Sequence, residues 1–296
     1  MAKESKERLE LTNDLGNALR GGALEVHYQP VIELATGRVV GMEALSRWHH
    51  LARGWIPPAV FVPLAEESGL IADFDRWVLN RACRDGAELR AAGLLPPDAL
   101  LSVNISARNV SDLGLVEAVR EAASRSAFPL EALELEVTET AIMAEVPTIR
   151  VVLEEIRELG VGLSLDDFGT GYSSLTFVRQ LPVTTIKVDR SFTRHITDRR
   201  EDLAICASVI DLARAVGLRT IAEGVENVEQ LSALHRLGCH AGQGFLWSGA
   251  LPLNDVADRL QRQPLDFSHA RREPRWRSSD IDVPSQKQGR KPAKIA

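Results

Sequence analysis

From residue 21 to about residue 265, short apolar runs alternate with longer stretches whose apolar residues recur every three or four positions. The short runs read as strands: Leu24–Ile32, Val39–Leu45, Leu100–Ile105, Leu133–Thr138, Val161–Asp166, Thr185–Val188, Thr220–Ala222 and Gly242–Trp247. The longer ones read as helices: Ala59–Ser68, Phe74–Ala92, Asp112–Arg125, Val146–Leu159, Asp202–Val216 and Val228–Leu237. Gly160, Gly217 and Gly238 each stand just past a helical run, where a left-handed residue closes a helix without a Cβ clash. Strands interleaved with helices in this way predict an α/β fold, a (β/α)8 TIM-like barrel. The first two strands are separated only by a turn at Ala35-Thr36-Gly37. A parallel crossover needs a dozen or more residues, so this pair reads as an antiparallel hairpin and the barrel as modified at its first strand.

Two flanks depart from the pattern. Residues 1–20 are polar, with Leu11, Leu15, Ala18 and Leu19 at helical spacing. They read as an amphipathic lead-in helix, either a linker from an upstream domain or a packed first helix. Residues 266–296 are rich in Arg, Lys, Ser and Pro and poor in aliphatic residues, the composition of a disordered basic tail. The barrel then occupies residues 21–265, a length that one domain accommodates.

Composition narrows the function. The chain has 296 residues, 45% hydrophobic and 26% charged, with a formal net charge of −6. An acidic surface argues against binding a nucleic-acid polymer, where phosphate neutralisation supplies most of the affinity. Cys83, Cys206 and Cys239 are widely spaced and read as reduced thiols. No apolar run has membrane-spanning length and the N-terminus is charged, so a cytoplasmic protein without a membrane segment is expected.

The candidate chemistry lies at the strand ends. Glu43, Asn104, Glu136, Asp166, Asp167, Lys187 and Glu223 each stand near or just beyond the end of a predicted strand, and Gln243 lies in the eighth. One at a time they have plain explanations: a turn residue for Asn104, a surface-reaching side chain for Lys187. Glu226, Ser173 or Ser174 would serve as helix caps. Together they converge on one mouth of a barrel. Five carboxylates cannot stay ionised side by side with Lys187 as the single nearby cation. Divalent metal is the simplest compensation, and an all-oxygen donor set favours Mg2+, Mn2+ or Ca2+ over structural zinc. The adjacent pair Asp166-Asp167 suits two ions with one shared ligand. Such a pair serves in-line displacement at a phosphodiester; metal-assisted isomerases and aldolases also use acidic barrel mouths.

Several ordered motifs resemble one family. They are Tyr28-Gln29-Pro30, Glu43 through Trp48, Pro63 through Glu66, Asn104-Ile105-Ser106, Glu136 through Glu139, Asp166 through Ser174, Lys187-Val188-Asp189, Ala222 through Glu226 and Gln243-Gly244-Phe245. Over about residues 19–253 the chain resembles the EAL-domain cyclic di-GMP phosphodiesterases, named for Glu43-Ala44-Leu45 as it stands here. The resemblance implies a modified barrel with one antiparallel strand and hydrolysis of one bond of cyclic di-GMP to linear pGpG. It implies Mg2+ or Mn2+ as cofactor, with Ca2+ binding but inhibiting. Glu43, Asn104, Glu136 and Asp166 would hold one ion, and Asp166 and Asp167 the second. Lys187 would hold the attacking water, Glu223 orient it or act as base, and Gln243 join the water network; the proton acceptor stays open. Glu139 would anchor the loop Phe168–Ser174. Gln29, Leu45, Arg47, Asp189 and Glu226 would meet the substrate, Arg47 lying on the strand face of Glu43. The resemblance further implies a homodimer, and if residues 1–20 are a linker, an upstream sensor or cyclase domain is expected. A receptor that binds without turnover would lack some of these acids, and none is missing. A hydrolase of another phosphodiester is the remaining alternative. His49-His50-Leu51 departs from the family pattern and reads as packing rather than a metal pair.

Overall fold

The first two strands of the computed structural model, β1 (Leu24–Glu33) and β2 (Val39–His50), form the expected antiparallel hairpin, with Gln29 opposite Glu43 and His27 opposite Leu45. Residues 2–143, 146–169 and 180–261 are described. The loop Phe168–Ser174 beyond Gly169, the cap candidates Ser173 and Ser174, and the tail from 266 onward lie outside them.

The remaining strands are β3 (Gly54–Ile56), β4 (Leu100–Asn104), β5 (Leu133–Thr138), β6 (Gly162–Phe168), β7 (Thr185–Val188), β8 (Arg219–Ala222) and β9 (Ala241–Gly242). Pairing runs β2–β4–β5–β6–β7–β8–β9 in parallel, and β1 closes the ring by pairing antiparallel with both β9 and β2. The result is the modified (β/α)8 barrel with one antiparallel strand. Helices α1 (Ala2–Gly21), α2 (Pro58–Ser68), α3 (Ile71–Ala91), α4 (Ala107–Val110), α5 (Gly114–Ser126), α6 (Glu139–Met143), α7 (Val146–Glu158), α8 (Arg190–Thr193), α9 (Arg200–Ala215), α10 (Val228–Leu237) and α11 (Leu253–Gln261) connect or flank the strands. In α1, Leu11, Leu15 and Ala18 are buried in the main core.

Strand alternation sorts the barrel into an apolar outside and a lumen that carries most of its buried polar groups. On β5, Leu133, Leu135 and Val137 join the core under the helices, while Glu134 and Glu136 take the alternate positions. On β4 the core residues are Leu101 and Val103, and Ser102 and Asn104 alternate with them. Glu134 sits deep in this lumen, 1% exposed, accepting from Thr185 Oγ1 at 2.7 Å and pairing with Arg219 Nη2 at 3.0 Å. Helix α3 carries two further buried acids into the frame. Asp75 Oδ2 accepts from Ser106 N, Ser106 Oγ and Asn109 Nδ2 at 2.9, 2.7 and 2.6 Å. Asp85 accepts from the buried Tyr28 hydroxyl at 2.9 Å and from Arg81 at 2.7 Å. The first clamp fixes the turn after Asn104, and the second fixes β1 beside Gln29.

Two strand expectations are corrected. Strand β2 runs on to His50 and pairs with the short β3, forming a hairpin that projects beyond the barrel. The predicted strand Gly242–Trp247 is replaced by the two-residue strand Ala241–Gly242, which it overlaps only at Gly242. The chain turns at Gly244, whose φ is 156° and where a Cβ would lie 2.2 Å from the Val225 carbonyl oxygen. The turn is held by Val225 N donating to Gln243 O at 3.0 Å and Leu246 N to Val225 O at 3.0 Å. Only glycine allows this approach. Gly244→Ala is therefore expected to cost about 2 kcal/mol or more from backbone overpacking. A thermal-melt shift of roughly 4–8 °C would register that loss; an unchanged melting temperature would refute the close approach.

Candidate active site

Lys187 stands at the centre of the predicted cluster. Its Nζ lies 2.6 Å from Glu136 Oε2, 2.6 Å from Glu223 Oε1, 3.3 Å from Glu43 Oε2 and 3.5 Å from Asp166 Oδ1. These acids come from β2, β5, β6 and the residue after β8, so they meet only through the lumen. Lys187 and Glu136 are each 1% exposed. The uncharged members tie the acids together. Asn104 Nδ2 donates to Glu43 Oε1 at 2.8 Å, and Gln243 Nε2 donates to Glu43 Oε2 at 2.6 Å and Glu223 Oε1 at 3.2 Å. Gln243 Oε1 is buried with no protein donor among the described residues.

A local backbone device explains the Asp166-Asp167 pair. Adjacent strand residues ordinarily face opposite sides. Here the β6–β7 register slips between Leu165 and Phe168, and Asp167 adopts φ 55°. A non-glycine residue in that region costs free energy, and aspartate tolerates it better than most. The slip turns both carboxylates to the mouth, where oxygens of Asp166, Asp167 and Glu223 all lie within 4.8 Å of one another. The same turn lets Asp167 N donate to Asp166 Oδ1 at 3.0 Å.

The electrostatics are those of surplus negative charge. Burial, then the Glu43 charge, pushes the Glu136 carboxyl well above the ordinary carboxylate range. Burial raises Glu223 to about 7, Lys187 partly opposing and Asp166 adding to the shift. Burial, then Asp166 and Asp189, raises Asp167 to about 6. Burial works in the same direction on Glu43, but Lys187, Gln243 and Asn104 outweigh it and hold that carboxyl below its usual value. For Lys187 burial opposes the charge, and the four surrounding acids overcome it and raise its pKa well above the ordinary value. One ammonium cannot neutralise Glu43, Glu136, Asp166, Asp167 and Glu223. The oxygen-only donor set and this residual charge fit hard divalent cations.

The other predicted residues fall in three places. Gln29, Leu45 and Arg47 share one face of the β1–β2 hairpin with Glu43, by register and alternation. Gln29 Nε2 donates to Ser248 O at 3.0 Å, and Arg47 Nη1 to Ser46 O at 2.9 Å. Asp189 caps α8 by accepting from Ser191 N at 2.9 Å, and its carboxylate also bonds Asp167. Glu139 Oε2 accepts from Gly169 N at 3.2 Å, at the start of the loop after β6. Glu226 is exposed, and its own N–H donates to Gln230 Oε1 at 2.7 Å. The cap of α10 is Asn227, in a reciprocal pair with Gln230, rather than Glu226. His49 packs on Trp55, and His50 Nε2 bonds Asp14 Oδ2 at 3.1 Å. The sequence reading missed Asp75. Its only signal is an acid among the core positions Ile71, Phe74, Val78 and Leu79 of α3.

Comparison with known proteins agrees with this geometry. The family model described as the EAL domain matches residues 12–250. The cyclic di-GMP phosphodiesterase NbdA of Pseudomonas aeruginosa is 43% identical over 88% of this chain and 33% of its own length. The bifunctional diguanylate cyclase/cyclic di-GMP phosphodiesterase MucR of the same organism is 41% identical over 86% of this chain and 37% of its own. The chain thus spans about a third of the length of these curated relatives. The solved structure of the PaMucR phosphodiesterase in its c-di-GMP complex superposes with a TM-score of 0.80 at 40% identity, covering 83% of this chain and 99% of that one. With the strand-end cluster and the antiparallel first strand in place, the chain belongs to the EAL domain family.

Proposed function

We propose that this chain is a metal-dependent phosphodiesterase that opens cyclic di-GMP to linear pGpG. The observation that carries the reading is the cluster of Glu43, Glu136, Asp166, Asp167 and Glu223 around Lys187, whose surplus negative charge matches two divalent cations. The c-di-GMP complex of the PaMucR phosphodiesterase supports the choice of substrate.

Glu43, Asn104, Glu136, Asp166 and Asp167 would hold two Mg2+ or Mn2+ ions, with Asp166 shared between them. When bound, the ions supply positive charge to the diester and lower the pKa of an attacking water. Lys187 brings a fixed ammonium to the same space and, 2.6 Å from Glu223, holds that carboxylate in place. Glu223, held by Lys187 and Gln243, would be the carboxylate that accepts the water proton. Gln243 fixes Glu43 and Glu223 relative to each other through one amide NH2, and its Oε1 is placed to accept from the water. Arg47 offers a fork-shaped donor to a phosphate. Water oxygen bonds to phosphorus, the bond from phosphorus to O3′ breaks, and O3′ takes a proton. The product keeps a 5′-phosphate and a free 3′-hydroxyl. A homodimer and control by further domains belong to the same proposal.

Incubation of the chain with cyclic di-GMP and Mn2+, followed by chromatography, is expected to yield pGpG. Glu43→Ala and Asp166→Ala should each reduce turnover by more than ~100-fold, since even outer partners of metal ligands are worth 10–100-fold. Wild-type protein that gives no pGpG under these conditions sinks the reading.

The raised acids also set a pH dependence. Asp167 near 6 and Glu223 near 7 stand above their unfolded values of about 4. Their contribution to stability is full below about pH 4 and is lost as pH rises through 6 and 7. Mn2+ binds the deprotonated acids and reverses that loss. The rise in melting temperature on adding Mn2+ to metal-stripped protein should therefore grow from pH 6 to pH 8. A Mn2+ effect that is flat or shrinks over that interval contradicts the assignment.

A further inference from the structure

The β2–β3 hairpin extends the candidate substrate strip past the barrel rim. Register and alternation put Gln29, His27 and Glu25 of β1 on one face with Glu43, Leu45, Arg47 and His49 of β2 and Trp55 of β3. The opposite face, with Val26, Tyr28, Ala44 and Trp48, is buried in the core. Trp55 is 55% exposed, an unusual cost for an indole on a polar surface.

The rings around it are ordered. The indole centroid lies 5.0 Å from that of His49, with planes at 70°, and 5.8 Å from that of His27, with planes at 72°. His27 Nε2 is in turn held by Glu25 Oε2 at 3.0 Å. Strands β1 and β3 flank β2 on opposite sides, and His27 stands opposite Leu45 while Trp55 stands opposite His49. To reach His27 the indole must cross the face of β2 over the stretch between Leu45 and His49. Arg47 occupies that stretch on the same face. An aromatic plane beside a forked cation is the pairing that single-stranded nucleotides use, base on the ring and phosphate on the guanidinium. The surrounding Glu25, His27, Arg47 and His49 are polar, unlike the apolar centre of a protein interface.

We propose that Trp55, in T-shaped contact with His27 and His49, is a stacking shelf for the purine base of the cyclic dinucleotide that is remote from the bond being cut. This rests on the phosphodiesterase reading above and adds a specificity determinant to it. The shelf grips the substrate without touching the reacting atoms, so it acts on binding.

Steady-state kinetics of the full chain with cyclic di-GMP and Mn2+ tests it in wild type, Trp55→Ala, Trp55→Leu and Trp55→Phe. The alanine and leucine variants are expected to raise KM about tenfold, equivalent to ~1.4 kcal/mol and within the range for one base on an aromatic ring. Their kcat should stay within twofold, and Trp55→Phe should stay within threefold of wild type in both constants. Leucine keeps the apolar bulk, so a defect it shares with alanine is a loss of stacking. An active wild type with unchanged KM in Trp55→Ala overturns the shelf. So does a change in oligomeric state in place of a KM change, seen by sedimentation, which would make this face an interface between copies. A wild type without turnover overturns the phosphodiesterase reading instead. The shelf is then judged by equilibrium binding of cyclic di-GMP, where Trp55→Ala must bind about tenfold more weakly for the proposal to stand.

Discussion

The structure depends on one buried ammonium among too many carboxylates. Lys187 is fully enclosed and meets Glu43, Glu136, Asp166 and Glu223. Removing these groups from water is costly, and Coulomb attraction offsets the cost only where geometry is tight. The surrounding frame supplies that geometry. Asn104 and Gln243 hold Glu43 from two sides, Gly244 turns the chain so that Gln243 can do so, and Asp75 fixes the turn behind Asn104. Even so, Glu136, Asp167 and Glu223 remain raised, which marks charge the protein alone does not balance.

This division of labour separates stability from chemistry. The apolar layer between strands and helices carries the fold, with residues such as Leu101, Val103, Leu135, Leu163 and Ile186 at or near zero exposure. The lumen carries the polar groups around a small apolar cluster of Val31, Ile221 and Ala241. At one end Glu134, Thr185 and Arg219 satisfy one another. At the other end the acids are left unbalanced, and Asp167 takes a strained backbone conformation to bring its carboxylate to the mouth. Unfavourable electrostatics concentrated at one end of a well-packed barrel are what a ligand-binding site looks like in free-energy terms.

Much of this was legible in the sequence for identifiable reasons. Leu133-Glu134-Leu135-Glu136-Val137-Thr138 alternates strictly, so its two faces could be assigned at once. The short turn at Ala35-Thr36-Gly37 forced an antiparallel pair. The Asp166-Asp167 pair stood out as an electrostatic conflict, yet its resolution needed the register slip and the positive φ, which no local pattern announces. The end of the eighth barrel strand was misread because Gly244 turns against Val225, a contact made only in the folded chain. Strand β3 was missed because three residues at an edge carry little periodicity. Asp75 was missed because an acid on a helix ordinarily faces water, and its partners Ser106 and Asn109 lie about thirty residues away. Glu226 was read as the cap of the next helix, whereas Asn227, a stronger N-cap residue, holds that position through its reciprocal bond with Gln230.

The central claim is that the unbalanced acids form a site for two cations that share Asp166. Anomalous scattering from crystals grown with Mn2+ tests it directly. The account predicts two Mn2+ peaks at the barrel mouth, one contacting Glu43, Asn104, Glu136 and Asp166 and the other Asp166 and Asp167. A single peak, or none within reach of Asp166 at saturating Mn2+ and pH 8, would contradict it.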